Sequence, residues 1–319
     1  MSLKGKKFAD DGWAVWLDGD DTSTIYFHCW MNPGKKSYID VSVKAIGVNN
    51  TNMLNLFVPY QIELDEIEDI SLRLTSEKIA RATFSSGCII EPMKNKYSSE
   101  LAFNGKTMDI LHVSALEPKL SHLAGGTLIS IEYGHIQQYI DNEDAYFSIR
   151  LPHKSIDKVF CSYKYAEGFG NKVREMITTP IRSEKYGYSI RVNETRKLPY
   201  EITRKGAFHR QKLRKAVVTV SMNENYEIND ANCYQIRRLE EDLYRDFVPE
   251  GFCCDDVISY QWKDSVRGGW LHGQFNFYLN ISHSSISIAS LIAYLCLLYF
   301  INSTSGLLTS LYQYLISLL

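Results

Sequence analysis

One stretch of the sequence combines positive charges with aromatic rings. Residues 172–215 contain 13 Lys and Arg side chains against 4 acidic ones, whereas the whole chain has a net charge of −2. Aromatic side chains such as Tyr186 and Phe208 lie between these cations. Lys and Arg bind phosphate groups, and aromatic rings stack on nucleobases. The segment therefore predicts a site for a nucleotide or a single-stranded oligonucleotide.

Ten residues of this segment are the predicted ligand contacts, with the cations on phosphates and the tyrosines on bases. They are Tyr188, Arg191, Arg196, Lys197, Tyr200, Arg204, Lys205, Arg210, Lys212 and Arg214. Two other interpretations fit the same cations. They could form a solvated face paired with acids such as Glu240–Asp242, or a patch on an anionic membrane surface, where each cation gains about 1 kcal/mol. Against the second, the segment lies about 70 residues before the apolar tail.

The sequence carries no established catalytic signature. It lacks the G-x-S-x-G, H-E-x-x-H, Walker and kinase motifs, and the loop Gly168–Lys172 lacks the G-K-[ST] ending of a phosphate-binding loop. Cys253–Asp256 has no companion His or Cys pair at zinc spacing. We therefore expect no enzymatic activity, no metal and no cofactor, although a catalytic triad assembled from distant residues leaves no such signature.

The last 36 residues contain no charged side chain. Ile286–Ile301 and Thr304–Leu319 are two apolar segments of 16 residues each. Each would be about 24 Å long as a helix, and a few flanking residues bring the first close to the roughly 30 Å of a hydrocarbon core. Asn302–Gly306, between them, has the composition of a tight turn. We predict a two-helix transmembrane hairpin over 283–319; the alternatives are a pair of buried core helices and part of a longer membrane region.

Polar residues form a stripe in the second apolar segment. Ser305, Thr309, Gln313 and Ser317 recur every four residues and would form one line along a helix. Polar groups that face lipid lack hydrogen-bond partners, so the stripe should face another helix or water. It would either bind the other helix of the hairpin or line the pore of an oligomer.

The remaining sequence predicts strands. Short alternating or β-branched runs such as Tyr38–Ile46 and Thr127–Tyr133, separated by turn-forming residues, predict an antiparallel sandwich or barrel. Ala231–Phe247 has apolar residues at spacings of three and four, which predicts an amphipathic helix. The predicted fold class is mainly β, with a helix-containing α+β second region. The predicted domains are a β-rich soluble domain over 1–165, a basic α+β region over 166–282 and the membrane hairpin over 283–319.

The cell compartment is suggested by the N-terminus and the cysteines. The first residues, MSLKGKKFADDGW, contain no apolar stretch of the kind found in a signal peptide. The seven cysteines are scattered and odd in number, which favours reduced thiols. We expect the soluble part in the cytosol and the tail in the inner, cytoplasmic membrane.

The basic aromatic segment Lys172–Lys215 and the apolar tail Ser284–Leu319 together give a characteristic layout. This layout resembles membrane effectors of bacterial anti-phage defence, as in CBASS-type and Hailong-type systems; the resemblance includes no shared motif. It implies a nucleotide-sensing soluble domain, a nucleotidyltransferase as partner, and a homo-oligomeric pore in the lipid that depolarises the cell. The residues also fit a non-conducting membrane-tethered adaptor for a protein partner, and a soluble enzyme with a buried C-terminal helix pair.

Overall fold

Two β-sheets make up most of the described chain. The computed structural model describes residues 12–19, 22–32, 36–84, 87–154, 181–205, 212–228, 233–265, 274–286 and 288–317. Strands account for 46% of the structure and helices for 29%. The prediction of a mainly β protein is therefore confirmed.

The first sheet has seven strands in the described part of the chain. They are β1 (Gly12–Leu17), β4 (Met53–Val58), β9 (Lys119–Leu123), β10 (Gly126–Glu132), β12 (Ile181–Val192), β14 (Tyr226–Ile228) and β17 (Phe275–Ile286). Their order across the sheet is β14, β17, β12, β1, β4, β10, β9. β12 runs parallel to β1, whereas β4 runs antiparallel to β1 and β17 antiparallel to β12.

The second sheet has ten strands within the same described ranges. They are β2 (Thr22–Met31), β3 (Tyr38–Ile46), β5 (Glu68–Asp69), β6 (Ile89–Glu91), β7 (Ser98–Phe103), β8 (Lys106–Leu111), β11 (Asp144–Pro152), β13 (Lys212–Asn223), β15 (Gln235–Arg238) and β16 (Val257–Ser265). The main order is β15, β16, β13, β2, β3, β11, β8, β7, β6, and β5 pairs with β11. β13 is parallel to β2 and β8 is parallel to β11. Both sheets are mixed, so the expectation of purely antiparallel sheets is wrong.

The helices of the described residues are mostly short. They are α1 (Ile70–Arg73), α2 (Glu77–Thr83), α3 (Tyr200–Lys205), α4 (Glu241–Tyr244) and α5 (Ile288–Ser317). Short 3₁₀ turns lie at Val48–Asn50, Leu64–Glu66, Val113–Leu116, Gly134–Tyr139, Thr195–Lys197 and Cys254–Asp256.

Side chains of β2 alternate between two hydrophobic cores, one on each face of the ten-stranded sheet. Ile25, Phe27 and Cys29 belong to the core shared by both sheets, and none of them is more than 1% exposed. Trp30 faces the other way and packs with Ile70 of α1 in a second core beneath the helices. Side chains alternate because successive residues of a strand point to opposite faces. The inner face of the sheet is therefore apolar, and its outer face is free to carry polar groups wherever no helix covers it.

Strands from both predicted soluble regions share the two sheets. β12 pairs with β1 at Gly12 and Arg191, and β13 pairs with β2 over most of its length. The predicted boundary at residue 165 lies outside the described residues. The division into 1–165 and 166–282 stays a prediction, but each sheet contains strands from both sides of it.

The helix predicted over Ala231–Phe247 is wrong. In its place, Gln235–Arg238 forms β15 and only Glu241–Tyr244 forms a helical turn. β15 pairs antiparallel with the edge of β16, and this pairing satisfies backbone groups that a helix would have satisfied internally. Ile236, which the predicted helix would have buried, is 61% exposed.

The structure shows one continuous helix where the sequence predicts a two-helix hairpin. α5 has 30 residues, and Leu291–Ile316 is the one candidate membrane span among the described residues. The expected turn at Asn302–Gly306 is helical. The hydroxyls of Thr304 and Ser305 donate to the helix carbonyls of Phe300 and Asn302, each at 2.9 Å. These bonds satisfy the turn-forming side chains without breaking the helix.

α5 is not a core helix. None of its Leu291–Ile316 span is buried against the rest of the described structure. A buried C-terminal helix pair, which the soluble-enzyme interpretation requires, is therefore not what the described residues form.

Candidate functional site

The predicted ligand contacts include one residue in the interior. Tyr188 is 0% exposed and lies between the two sheets. Its hydroxyl is 3.1 Å from Cys29 Sγ and 2.9 Å from His153 Nε2. Burial lowers the pKa of His153 to about 4, so this imidazole is neutral at pH 7. Tyr188 thus links the two sheets through a buried polar chain, and its ring is not accessible for stacking on a base.

Two of the predicted cations bind an acid of the protein itself. Arg191 and Arg196 donate to the two carboxylate oxygens of Glu194 at 3.0 and 2.7 Å. Glu194 is only 3% exposed, so the two guanidinium groups neutralise a buried carboxylate. Lys197 ends the same 3₁₀ turn and is exposed.

The other predicted contacts lie on different elements where the structure describes them. Tyr200 and Arg204 are exposed on α3, with 74% of Tyr200 accessible. Arg214 lies in the ten-stranded sheet, at an irregularity where the register of β13 against β2 shifts. The side chains of Lys205 and Lys212, and the whole of Arg210, lie outside the described residues. The ten contacts stay predictions.

A different set of cations and rings meets on the outer face of the ten-stranded sheet. We call it the sheet-face site, and its members are Tyr26, Lys44, Lys215, Tyr234 and Lys263. They come from β2, β3, β13, β16 and the residue before β15. Apart from Lys215, none of them lies in the basic segment that the sequence highlights.

Strand register brings the members of the sheet-face site together. In one row Thr24 of β2 lies between Lys44 and Lys215. In the next row Val217 lies between Tyr26 and Lys263. Residues two apart on a strand share a face and strands lie about 4.8 Å apart, so these rows span roughly 14 Å from β3 to β16.

The lysines of this site contact aromatic rings. Lys215 Nζ is 5.6 Å from the centre of the Tyr26 ring, and Lys263 Nζ is 5.7 Å from the centre of the Tyr234 ring. Tyr234 is 67% exposed, so much of its surface remains open. Lys44 is paired with Asp144 at 2.8 Å. In the part of the chain that the structure describes, neither Lys215 nor Lys263 forms an ion pair.

Lys215 and Lys263 are near enough for the charge of one to act on the other, and two such cations favour an anion between them. Burial, and then the charge of Lys263, lower the pKa of Lys215. The two residues are diagonal neighbours on adjacent strands, which places their backbones about 7–8 Å apart. An anion bound between them would relieve the repulsion and gain charge-assisted hydrogen bonds from both.

His28 borders the site but supplies no charge. Its ring stacks on Trp30 with centroids 4.1 Å apart, and Nε2 is 2.7 Å from the hydroxyl of Ser221. Burial lowers its pKa to about 4, against an opposing effect of Asp40. The positive charge of the site at pH 7 therefore comes from lysines.

A buried ion pair supports the sheet next to the site. Arg150 donates from Nε and Nη2 to the two carboxylate oxygens of Asp40 at 2.6 and 2.9 Å. Trp30 Nε1 donates to the same carboxylate at 2.8 Å, and Arg150 Nη2 also donates to the carbonyl of Phe247 at 2.9 Å. These bonds join β2, β3, β11 and the segment after α4. They fix the strand that carries Tyr26 and His28.

A separate pocket is chemically unsuited to an anion. It has a volume of about 270 Å³ and is lined by Glu224, Tyr226, Glu227, Tyr260 and their neighbours. Two carboxylates at its wall would repel a phosphate. For metals, the described residues contain no cluster of three or more His, Cys, Asp or Glu side chains that could hold an ion.

Sequence reasoning missed the sheet-face site because its residues are far apart in the chain. Tyr26 and Lys263 are separated by more than two hundred positions and meet only through β13. The available signal was local: Lys44 and Lys215 are charged residues in otherwise alternating strand patterns, which marks the outward face. Nothing local indicates that these outward faces belong to adjacent strands.

In the residues that the structure describes, the fold and the site together define a mixed two-sheet β protein with a cationic aromatic sheet face and one helix long enough to span a membrane. No known protein family matches the chain, and no curated protein matches it.

Proposed function

We propose that the protein is a membrane-anchored receptor whose β domain binds a nucleotide or nucleotide-like anion at the sheet-face site. The observation that carries the proposal is the placement of Lys215 and Lys263 as diagonal neighbours on adjacent strands, neither of them ion-paired in the described structure, with the rings of Tyr26 and Tyr234 beside them. Phosphate oxygens would lie between the two ammonium groups. The base would stack on the open face of Tyr234.

The membrane anchor in this proposal is α5. Its span of 26 residues is about 39 Å long, which exceeds a hydrocarbon core of about 30 Å and would be accommodated by tilting. The large apolar side chains of the span are exposed, and no other part of the described chain covers them. A soluble protein would hide such a surface, whereas lipid covers it at no cost.

The backbone register brings part of β12 close to the start of the span. β12 pairs with β17 over its whole length, and the last pair is Ile181 with Ile286, two positions before α5 begins at Ile288. In the proposal the β domain lies on the cytosolic side of the membrane.

The output of the receptor is a further step of the proposal. A pore of the kind implied by the resemblance to anti-phage effectors would need several copies, because the single candidate span of the described residues cannot enclose water. Conduction and a role in defence stay predictions. A protein-binding adaptor is the alternative, and it would not require the two lysines.

Binding to the full-length protein in detergent tests the proposal. We would measure affinity for ATP, a cyclic dinucleotide and a short oligoadenylate by calorimetry, for the wild type and for Lys215→Gln, Lys263→Gln and Lys215→Arg. Loss of one charged contact should weaken binding about tenfold or more, and Lys215→Arg should retain most of it. Lys119→Gln is the matched control, because Lys119 is an exposed lysine of the other sheet.

Three outcomes contradict the proposal. The first is a wild type that binds none of the three probes. The second is binding that Lys215→Gln and Lys263→Gln leave unchanged. If Arg204→Gln alone abolishes binding, the ligand occupies the basic segment predicted from the sequence, and the sheet-face site is the wrong location.

A further inference from the structure

We infer that α5 binds the α5 of a second copy of this chain inside the membrane, through a face built around two side-chain amides. We call it the amide face, and it comprises Leu295, Leu298, Asn302, Gly306, Thr309 and Gln313. The inference rests on the membrane-spanning role proposed for α5. It is independent of which ligand the β domain binds.

Helix geometry places these residues on one side of α5. They are three or four positions apart, and at 3.6 residues per turn they fall within an arc of roughly 80°. Asn302 and Gln313 are eleven residues apart, close to three full turns. The two amides therefore project in nearly the same direction, about 16 Å apart along the axis.

The amides differ from the other polar groups of the helix. Thr309 and Ser310 donate their hydroxyls to the carbonyls of Ser305 and Gly306, both at 2.9 Å. Ser and Thr hydroxyls in a helix can thus be satisfied by their own backbone. In the described structure, the side-chain amide of Asn302 has no hydrogen-bond partner. The same holds for Gln313, and both residues are exposed.

Lipid cannot supply the missing partners. Each amide has two N–H donors and an acceptor oxygen, and leaving such a group unpaired in hydrocarbon costs several kcal/mol. Asn302 lies about 2 Å from the middle of the Leu291–Ile316 span, where water is scarcest. Association that pairs the amides removes this cost.

A second copy of the chain is the partner that the geometry favours. An amide is complementary to another amide, since each both donates and accepts. All copies insert with the β domain on the same side, so two copies are parallel and place Asn302 opposite Asn302 and Gln313 opposite Gln313 at equal depth. Because the two amides are eleven residues apart, the Asn302 contact and the Gln313 contact both lie along the interface of two helices that are straight or form a slightly right-handed supercoil.

The middle of the amide face allows close approach. A Cβ added at Gly306 would meet no atom within 4 Å, so no side chain of the described structure covers the backbone between the two amides. Small residues at such positions let the backbones of two membrane helices come together. The larger Leu295 and Leu298 would pack against their counterparts one to two turns earlier.

Self-association of the full-length protein in liposomes tests the inference. Copies labelled with donor and acceptor fluorophores on the β domain would be diluted in lipid, and energy transfer would give the dissociation constant of the pair. Asn302→Leu and Gln313→Leu should each raise it about threefold to thirtyfold, the range that polar contacts between membrane helices contribute. Thr304→Leu is the control, because Thr304 lies on the opposite side of the helix.

The outcomes separate this inference from the proposed function. Retention of all variants in the membrane after alkaline carbonate treatment shows that α5 is inserted. A wild type that is inserted but monomeric overturns the inference and leaves the anchor in place. Association that Asn302→Leu and Gln313→Leu leave unchanged also overturns it, since the contact then lies elsewhere. Extraction of the wild type by carbonate removes the membrane role itself.

Discussion

Removing the positive charge of Arg150 should destabilise the β domain strongly. Arg150 is 1% exposed and makes three hydrogen bonds of 2.6–2.9 Å, two to Asp40 and one to the carbonyl of Phe247. Its guanidinium group also lies over the rings of Trp30 and Phe247, at 5.6 and 5.3 Å. Burial by itself would lower the pKa of Arg150, but the Asp40 carboxylate outweighs this effect and raises it. The residue is therefore charged in the folded protein.

The expected loss of unfolding free energy depends on whether a substitution leaves a buried charge without its partner. Arg150→Met keeps the volume but strands the Asp40 carboxylate, which is 3% exposed, and breaking a buried pair in this way costs about 3–5 kcal/mol. Trp30 Nε1 would remain as a donor to Asp40 and offset part of that cost. The double variant Asp40→Leu, Arg150→Met leaves neither charge unpaired. It should therefore be more stable than Arg150→Met, despite carrying one more substitution.

Urea unfolding of the detergent-solubilised protein, followed by tryptophan fluorescence, measures these free energies. Lys119→Met is a suitable control, because Lys119 is exposed and its surface ion pair contributes about 1 kcal/mol or less. The reasoning is refuted if Arg150→Met unfolds within 1 kcal/mol of the wild type, or if the double variant is less stable than Arg150→Met.

Three further predictions follow from the same structure. Stability should fall as the pH falls from about 6.5 to about 4, because His153 and His28 are neutral in the folded state whereas the unfolded chain binds protons. The loss is about 3 kcal/mol for the fully buried His153, and His153→Gln should flatten the pH dependence of the urea midpoint. Nucleotide affinity should weaken with rising salt, and Lys215→Gln should reduce that slope, which titrations at several ionic strengths will show. Deleting residues 288–319 should leave a folded β domain that is soluble without detergent, because the span contributes no buried surface; an unfolded remainder by circular dichroism would contradict this.

The strands are the part of the fold that the sequence predicts well. Tyr38–Ile46 is β3 with the predicted bounds, because alternation of apolar and polar residues is a local signal. Which strands pair is a long-range property. The parallel pairing of β13 with β2 joins residues nearly two hundred positions apart, and it turns an expected antiparallel sheet into a mixed one.

The two errors over helices have opposite causes. Apolar spacing alone suggests a helix at Ala231–Phe247, but the edge of β16 offers backbone partners to Gln235–Arg238 and a strand forms instead. At Asn302–Gly306 the composition suggests a turn, but the hydroxyls bond to the preceding turn of the helix and α5 continues. In the first case pairing with a neighbouring strand overrode the local helix propensity. In the second case hydrogen bonds from side chains to the helix backbone overrode the local turn propensity.

For the basic segment, separation along the chain is a poor guide to separation in space: distant residues come together and neighbouring residues take different roles. It lies about 70 residues before the tail, yet β12 runs antiparallel to β17 and brings Arg182 into register with Ser285, beside the start of α5. Within the segment, Tyr188 and Arg191 are neighbours in sequence but serve the interior and a buried glutamate. A concentration of charge in the sequence thus becomes several different structural roles.

The order of strands along the chain relates the sheet-face site to α5, the candidate membrane span. Lys215 is in β13, and the chain turns directly from β13 into β14, which pairs with β17 at Tyr226 and His283. Lys263 is in β16, and the next strand that the structure describes is β17 itself, which ends two positions before α5 begins. Among the described residues, both strands that carry the two lysines are therefore followed by strands that pair with β17 or form it. Under the two proposals above, an anion bound between the lysines would act on segments that lead to α5, and the pairing of α5 with a second copy is the equilibrium that such a change would shift.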